Sequence, residues 1–144
     1  MADGITVKTR LQTTQIAEDG SVDRQQSEST GKGWFGDAQW VVCFSERTEE
    51  RESATTTVKV GKNCLTVIRR GYVTMRQVFH PKKETKGLYT HPYGAMEMVA
   101  ETEHFHRSAG PEGWQVEWSY RLRLNGVEAG TFHMNLTIKP AGTE

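Results

Sequence analysis

The sequence has no excess of positive or negative charge, because its 18 lysine and arginine residues are balanced by 18 aspartate and glutamate residues. A chain with a formal net charge of +0 has no overall field that attracts nucleic acid or an anionic membrane. Long hydrophobic runs are missing too: the longest covers residues 40–44, whereas a membrane-spanning helix needs about 18 apolar residues or more. The first four residues have neither the basic nor the apolar region of a secretory signal. We therefore expect a cytoplasmic protein without membrane contact, and its overall charge does not favour nucleic acid as a partner.

Cysteine is scarce, with Cys43 and Cys64 as the two residues of this type. They do not form a Cys-x-x-Cys motif, and the expected compartment keeps thiols reduced. The sequence therefore predicts two buried thiols and no disulfide.

The motifs of the common enzyme classes are missing as well. The sequence has no glycine-rich phosphate loop, no serine–histidine–aspartate pattern and no pair of carboxylates in a supporting context. His104 and His106 share one face of a strand and, with the distant His133, are compatible with part of a metal site. The cupin pattern also uses His-x-His, but its glutamate follows after a shorter gap than the one that leads to Glu112 here. We predict surface histidines, no enzymatic activity, and neither a cofactor nor a metal.

What the sequence does contain is alternation of apolar and polar residues, which is typical of a strand with one buried face. The clearest case is residues 114–124, whose apolar face comprises Trp114, Val116, Trp118, Tyr120, Leu122 and Leu124. Asn125-Gly126 follows, and this dipeptide suits the two positive φ angles of a type I′ turn. Residues 127–138 should therefore fold back and pair antiparallel with residues 114–124.

Similar patterns predict strands along the rest of the chain. The first strand alternates Ile5, Val7 and Leu11 and turns at residues 18–20 into a polar second strand. One face of the third strand is predicted to contain Trp34, Ala38, Trp40, Val42 and Phe44, and residues 46–52 are predicted to form a solvated loop or a short helix. Further strands are predicted near residues 54–60, 64–70, 73–79, 85–91 and 94–105. About ten short strands without a convincing helix predict an all-β fold, a single antiparallel barrel of about 8–10 strands over residues 1–144 that is lipocalin/calycin-like.

The segment from Arg69 to Gly94 resembles the YwiB-like proteins, a family of uncharacterised bacterial barrels of the calycin type. The similarity covers residues 59–140 well and the first third in outline. It is carried by the spaced residues Arg69, Gly71, Val73, Met75, Gln77 and Phe79, then by Tyr89-Thr90, Gly94, Glu101-Thr102, Trp118, Tyr120, Leu122, Asn135 and Thr137-Ile138. The resemblance implies a fold and little about activity.

Two polar residues lie on faces where the pattern calls for apolar ones. Gln77 follows Val73 and Met75 on the inner face of its strand, and Arg69 follows Leu65 and Val67 on the inner face of the preceding one. A buried amide without partners costs about 1–3 kcal/mol, and a buried guanidinium needs an anion or several carbonyl groups.

Two interpretations of these residues stay open. In the first, Arg69 pairs with Glu101 or Glu117 and Gln77 satisfies an irregular strand end. In the second, both face a cavity in which Arg69 receives the acidic head of a small amphipathic ligand. The predicted ligand-binding residues are Arg69, Gln77, Met75, Trp40, Trp118 and Tyr120, and the predicted cavity wall also includes Trp34, Met96, Met98 and Trp114.

Three functional classes are compatible with these patterns, and the oligomeric state is left open. The first is a non-enzymatic barrel that binds a small amphipathic acid. The second is a protein or RNA interaction module with a filled barrel and basic residues on its outer face, namely Arg70, Arg76, Arg121 and Arg123. The third is a metal-dependent enzyme. A roomy cavity favours the first class, whereas a filled core with a basic outer patch favours the second.

Overall fold

The computed structural model describes residues 4–47 and 53–141, and within them the chain forms ten β-strands and no helix. The strands are β1 (Ile5–Ile16), β2 (Val22–Phe35), β3 (Trp40–Arg47), β4 (Ser53–Val60), β5 (Leu65–Gly71), β6 (Thr74–Phe79), β7 (Glu84–His91), β8 (Gly94–Gly110), β9 (Gly113–Leu124) and β10 (Val127–Pro140). Each strand pairs antiparallel with the next, and β1 pairs with β10 to close the barrel. The predicted all-β antiparallel barrel is confirmed, with ten strands.

The hairpin between β9 and β10 follows the sequence prediction closely. Asn125 and Gly126 adopt φ angles of 48° and 80°, as a type I′ turn requires, and Leu124 pairs directly with Val127. Asn125 is also tied to β8: its side-chain Oδ1 accepts from Glu97 N at 2.8 Å, and its N–H donates to Glu97 O at 2.9 Å. The turn therefore fixes the register of three strands.

The third strand begins later than the alternation suggested. Trp34 belongs to β2, Ala38 lies in the turn between the strands, and β3 begins at Trp40. Gly36 N donates to Gln39 O at 3.0 Å, which closes that turn. The apolar period continued across the turn by coincidence, because residues 34 and 38 are an even number of positions from Trp40. Within the predicted loop 46–52, Glu46 and Arg47 belong to β3, and residues 48–52 lie outside the described residues.

Strand β2 is paired on both sides along only part of its length. Residues 22–33 pair with β1, but the pairing with β3 covers only residues 31–35 and begins at Gly31 opposite Phe44. A side chain at position 31 would overlap the carbonyl oxygen of Cys43 and lie 2.9 Å from Phe44 Cβ. The absence of a side chain at Gly31 therefore lets β2 approach β3 closely enough to close the barrel.

One end of the barrel is closed by aromatic rings and an arginine. Phe35 stacks on Trp114 at 3.6 Å between ring centroids and meets Trp40 edge-on at 6.2 Å. The Arg107 guanidinium lies 4.7 Å from the Trp40 ring centroid, and its nitrogens donate to the carbonyl oxygens of Asp37 and Ala38 at 3.2 and 3.4 Å. We refer to this part of the molecule as the closed end.

Cys43 and Cys64 are both half-buried free thiols. In the strand register Cys43 is level with Ile68 on β5, four residues along that strand from Cys64. This corresponds to roughly 13 Å along the strand, and a disulfide requires Cα atoms within about 7 Å. Among residues 4–47 and 53–141, no helix is both long and apolar enough to cross a membrane.

Candidate functional site

A cavity of about 370 Å³ lies inside the barrel. It is lined by Leu11, Thr13, Gln25, Gln26, Ser27, Phe44, Thr56, Val58, Val67, Arg69, Met75, Phe79, Trp118, Tyr120, Phe132, Met134 and Leu136. Gln25, Gln26 and Ser27 line the cavity and are also exposed to solvent, so the cavity opens beside β2. The barrel interior is therefore partly open rather than wholly filled.

Arg69 supplies the charge of this cavity. Among the lining residues that the structure describes, it is the one charged side chain, and it is half-buried. It pairs with Thr56 on β4 and Met75 on β6, which also line the cavity. A guanidinium in a largely neutral cavity favours an anionic group there, because its field is poorly screened away from bulk water.

The carboxylates suggested as partners of Arg69 lie elsewhere. Glu101 and Glu117 alternate with inward-facing residues of β8 and β9, so both project from the outer face of the barrel. Glu117 accepts a hydrogen bond from Gln115 Nε2 at 3.3 Å on that outer face. The predicted pairing of Arg69 with either residue is wrong, because both point to the opposite side of the sheet.

The wall near Arg69 is aromatic. The Tyr120 ring stacks on Phe132 at 5.3 Å and packs against Phe79 at 4.4 Å, and Phe79 lies 6.1 Å from Trp118. Trp118 is 3% exposed, and its Nε1 atom makes no hydrogen bond to any described residue. The cavity thus combines one cation with a broad apolar surface.

Burial raises the pKa of the Tyr120 phenol above its ordinary value, and the positive charge of Arg69 partly opposes that rise. A phenol with a raised pKa in the folded state keeps its proton when the unfolded chain begins to lose it near pH 10. The contribution of the protonated Tyr120 phenol to the free energy of unfolding is therefore fully present below pH 10 and decreases as the pH rises above 10.

We expect Tyr120→Phe to reduce the alkaline loss of stability while preserving the ring contacts. Between pH 9 and pH 11 the free energy of unfolding of the wild type should fall by about 1.4 kcal/mol more than that of the variant. Urea denaturation at the two pH values measures the difference. Tyr93→Phe is the matched control, because Tyr93 is 89% exposed. If the wild type and Tyr120→Phe lose equal amounts of stability between pH 9 and pH 11, the alkaline loss does not come from the Tyr120 phenol.

Gln77, predicted to bind ligand, is inward and fully buried but does not line this cavity. Its Nε2 donates to the carbonyl oxygens of Val78 at 2.9 Å and Thr85 at 3.2 Å, and to the Thr85 hydroxyl at 3.0 Å. The ladder between β6 and β7 covers only residues 74–76 of β6, and the Gln77 amide bridges the strands beyond it. A side chain at Gly87 would overlap Gln77 Oε1, so the glycine makes room for this bridge. Gln77 therefore has a structural place in the barrel wall.

We expect Gln77→Leu to lower the free energy of unfolding by about 1–3 kcal/mol, because the hydrogen bonds from the buried Gln77 Nε2 to Val78 and Thr85 are lost. Ligand affinity should stay close to that of the wild type. Gln12→Leu, the same exchange at an exposed position of β1, is the control for urea denaturation. A stable Gln77→Leu variant that has lost ligand binding would return Gln77 to the binding site.

Trp40 is the other predicted binding residue outside the cavity, because it packs at the closed end. Of the predicted binding and wall residues, four line the cavity, namely Arg69, Met75, Trp118 and Tyr120, and the others do not. Trp34 is 39% exposed, and Trp114 stacks on Phe35 at the closed end. Met96 and Met98 are residues of β8, the first half-buried and the second buried. Alternation identifies the inward face of a strand but not the height at which a residue lies in the barrel.

Sequence reasoning missed the contribution of β10 and β2. Phe132, Met134 and Leu136 lie within residues 127–138, which were predicted to pair with residues 114–124, yet they were not assigned to the cavity. Their signal was available, since the antiparallel register places Phe132 opposite Tyr120 and Met134 opposite Trp118. The cavity residues of β2, by contrast, are polar and carry no apolar signal.

The histidines and outer arginines do not assemble into a site. His104, His106 and His133 project from the outer face of the barrel, and residues 4–47 and 53–141 contain no group of three side chains that could hold a metal ion.

The four basic residues proposed for an interaction surface lie on three strands, in two places of the barrel. Arg121 and Arg123 on β9 face Glu128 at 4.0 Å and Glu84 at 3.1 Å. Arg70 lies on β5 and Arg76 on β6, separated from β9 by three and two other strands, respectively. The predicted basic cluster is therefore not formed.

Comparison with known proteins supports the fold but does not identify an activity. The structure is similar to the crystal structure of the ywiB protein from Bacillus subtilis, with a TM-score of 0.80 and 20% sequence identity over 99% of this chain and 96% of that one. Comparison with curated proteins gives no match. Residues 9–136 match the model of the domain of unknown function DUF1934. The resemblance to the YwiB-like proteins is thereby confirmed, and the chain belongs to the DUF1934 family.

Proposed function

We propose that this protein binds a small amphipathic acid inside the barrel and carries out no chemistry on it. The observation that carries the proposal is a cavity whose described lining contains one charged side chain, Arg69, surrounded by aromatic and aliphatic groups. Mostly apolar pockets with a few convergent polar groups are the usual form of small-molecule sites. The carboxylate of the ligand would meet Arg69, and its apolar part would contact Phe79, Trp118 and Phe132.

The size of the cavity limits the ligand. A volume of about 370 Å³ lies near the lower end of the roughly 300–1,000 Å³ typical of small-molecule sites. A short aliphatic or single-ring aromatic monocarboxylic acid is therefore favoured over a long-chain fatty acid. The polar side chains at the opening, Gln25 and Ser27, would contact water or the polar part of a ligand.

The proposed role is that of a lipocalin-type container in the cytoplasm. Up-and-down barrels hold single small ligands in their interior, and the ten-stranded meander found here encloses its cavity in the same way. Reduced thiols at Cys43 and Cys64 suit an intracellular location. The cavity also favours this role over an interaction module with a filled barrel.

The test is thermal melting and isothermal titration with a panel of short aliphatic and aromatic acids, each compared with its primary amide. A bound acid at 100 times its Kd should stabilise the protein by about 2.7 kcal/mol. We expect at least one acid to bind and its neutral amide to bind more weakly, because the amide lacks the charge that Arg69 attracts. The proposal fails if no acid raises the melting temperature, or if acids and amides bind equally.

A further inference from the structure

Within the described part of the chain, the first nine residues of β2 are paired on one side only. Residues 22–30 pair with β1 on one side, and on the other side they pair with no described residue, because the ladder to β3 begins at Gly31. Almost all of these residues are exposed. Backbone N–H and C=O groups along such an edge are ready to pair with another strand.

Proline, lysine and a bulge, which often block an edge, are missing from this segment, whose charged residues are Asp23, Arg24 and Glu28. It reads VDRQQSEST, with neither a proline nor a lysine, and its pairing with β1 shows no bulge. Apart from Val22 it is polar on both faces, so it offers little apolar surface that would anchor a hydrophobic peptide. Recognition at this edge would rest on backbone hydrogen bonds and on matched charges.

We propose that the edge of β2 pairs antiparallel with the same edge of a second copy of this chain, with Gln26 on the two-fold axis. In that register Arg24 lies opposite Glu28 of the second copy, and the symmetry repeats the pair. The remaining outer-face pair joins Val22 to Thr30, and the inner-face pairs join Asp23 to Ser29 and Gln25 to Ser27. No like charges meet, and all nine residues are paired.

Other registers use the edge less well. With Gln25 on the axis, Arg24 would face Gln26 and Glu28 would face Val22, so neither charge would gain a partner. With Ser27 on the axis, Glu28 would face Gln26 and Arg24 would face Thr30. Two charges of opposite sign that face each other across a strand pair stabilise it, and two charges of the same sign destabilise it. The charge pattern therefore selects the register centred on Gln26.

The existing ion pair at this edge leaves Glu28 available. Arg10 Nη2 lies 3.1 Å from Glu28 Oε2, but the two side chains are 53% and 63% exposed. Such an exposed pair contributes little, and a carboxylate has two oxygens with which to accept from two arginines. Glu28 can thus face Arg24 of the second copy without giving up Arg10.

Sedimentation equilibrium of the full chain tests the proposal through a charge exchange. We expect a concentration-dependent dimer whose dissociation constant rises roughly tenfold or more in Arg24→Glu, because both symmetric pairs become repulsive. Adding Glu28→Arg to that variant should restore dimerisation. Lys86→Glu makes the same change of charge at an exposed position of β7, five strands from β2, and should leave the dimer unchanged.

A cysteine at the proposed axis gives an independent readout. Gln26→Cys should form an intermolecular disulfide under mild oxidation, whereas Gln12→Cys on the neighbouring strand should not. A wild-type chain that stays monomeric at all concentrations overturns the proposal, as does a dimer that Arg24→Glu leaves intact. Cross-linking that is no faster for Gln26→Cys than for Gln12→Cys overturns the register. None of these results depends on whether the cavity binds an acid.

Discussion

Arg69→Met is expected to weaken the binding of amphipathic acids about 10- to 100-fold, the effect of losing a charge-assisted hydrogen bond worth about 1.5–3 kcal/mol. Methionine retains much of the aliphatic volume, so the apolar lining of the cavity changes little. The empty variant should also lose about 1–3 kcal/mol of stability, because the half-buried guanidinium interacts with neighbouring groups in the folded protein. Thermal melting of both proteins with and without the acid panel measures the two effects separately.

Arg76→Met is the control for this exchange, since Arg76 is an exposed residue on the outer face of β6. It removes the same charge from the protein without changing the cavity. Acid binding should be normal in Arg76→Met and strongly reduced in Arg69→Met. If Arg69→Met binds acids as tightly as the wild type, Arg69 is a structural residue and the proposed binding mode is wrong.

Gly31→Ala is expected to lower the free energy of unfolding by about 3 kcal/mol, at the upper end of the range for overpacking. The added methyl group would overlap the carbonyl oxygen of Cys43, and a backbone atom cannot rotate away as a side chain can. The strain falls on the point where β2 joins β3, so the seam that closes the barrel should loosen. Urea denaturation measures the loss.

Gly110→Ala is the matched control, because a side chain at position 110 would meet no atom within 4 Å. Its stability should be unchanged or raised by up to about 1 kcal/mol, since alanine reduces the freedom of the unfolded chain. Similar stability of the two variants would show that the close approach at Gly31 is not what closes the barrel.

The strands were largely predictable because alternation and turn residues are local signals. Residues 114–124 and 127–138 were placed correctly, since alternation assigns the faces and Asn125-Gly126 specifies the turn. The start of β3 was not, because the alternating period passed through a turn without a break. The free edge of β2 also had no signal, since its polar pattern is the same whether a strand lies beside it or not.

The candidate site was predictable only in part, for a geometric reason. Alternation correctly turned both Arg69 and Gln77 inward, but it could not tell that one lies at the cavity and the other bridges two diverging strands. That difference depends on where the β6–β7 ladder stops, which in turn depends on the packing of the whole barrel. Trp40 shows the same limit, because an inward aromatic residue can close one end of a barrel as readily as line its cavity.

The measurement that tests the central claim most directly is NMR of the protein labelled with ¹³C at its methionine methyl groups, during titration with the tightest-binding acid. Met75 and Met134 line the cavity, whereas Met96 and Met98 do not. We expect saturable shifts of the Met75 and Met134 signals, small changes at Met96 and Met98, and loss of the large shifts in Arg69→Met. Unchanged Met75 and Met134 signals at saturating acid, or shifts confined to Met96 and Met98, would contradict binding in this cavity.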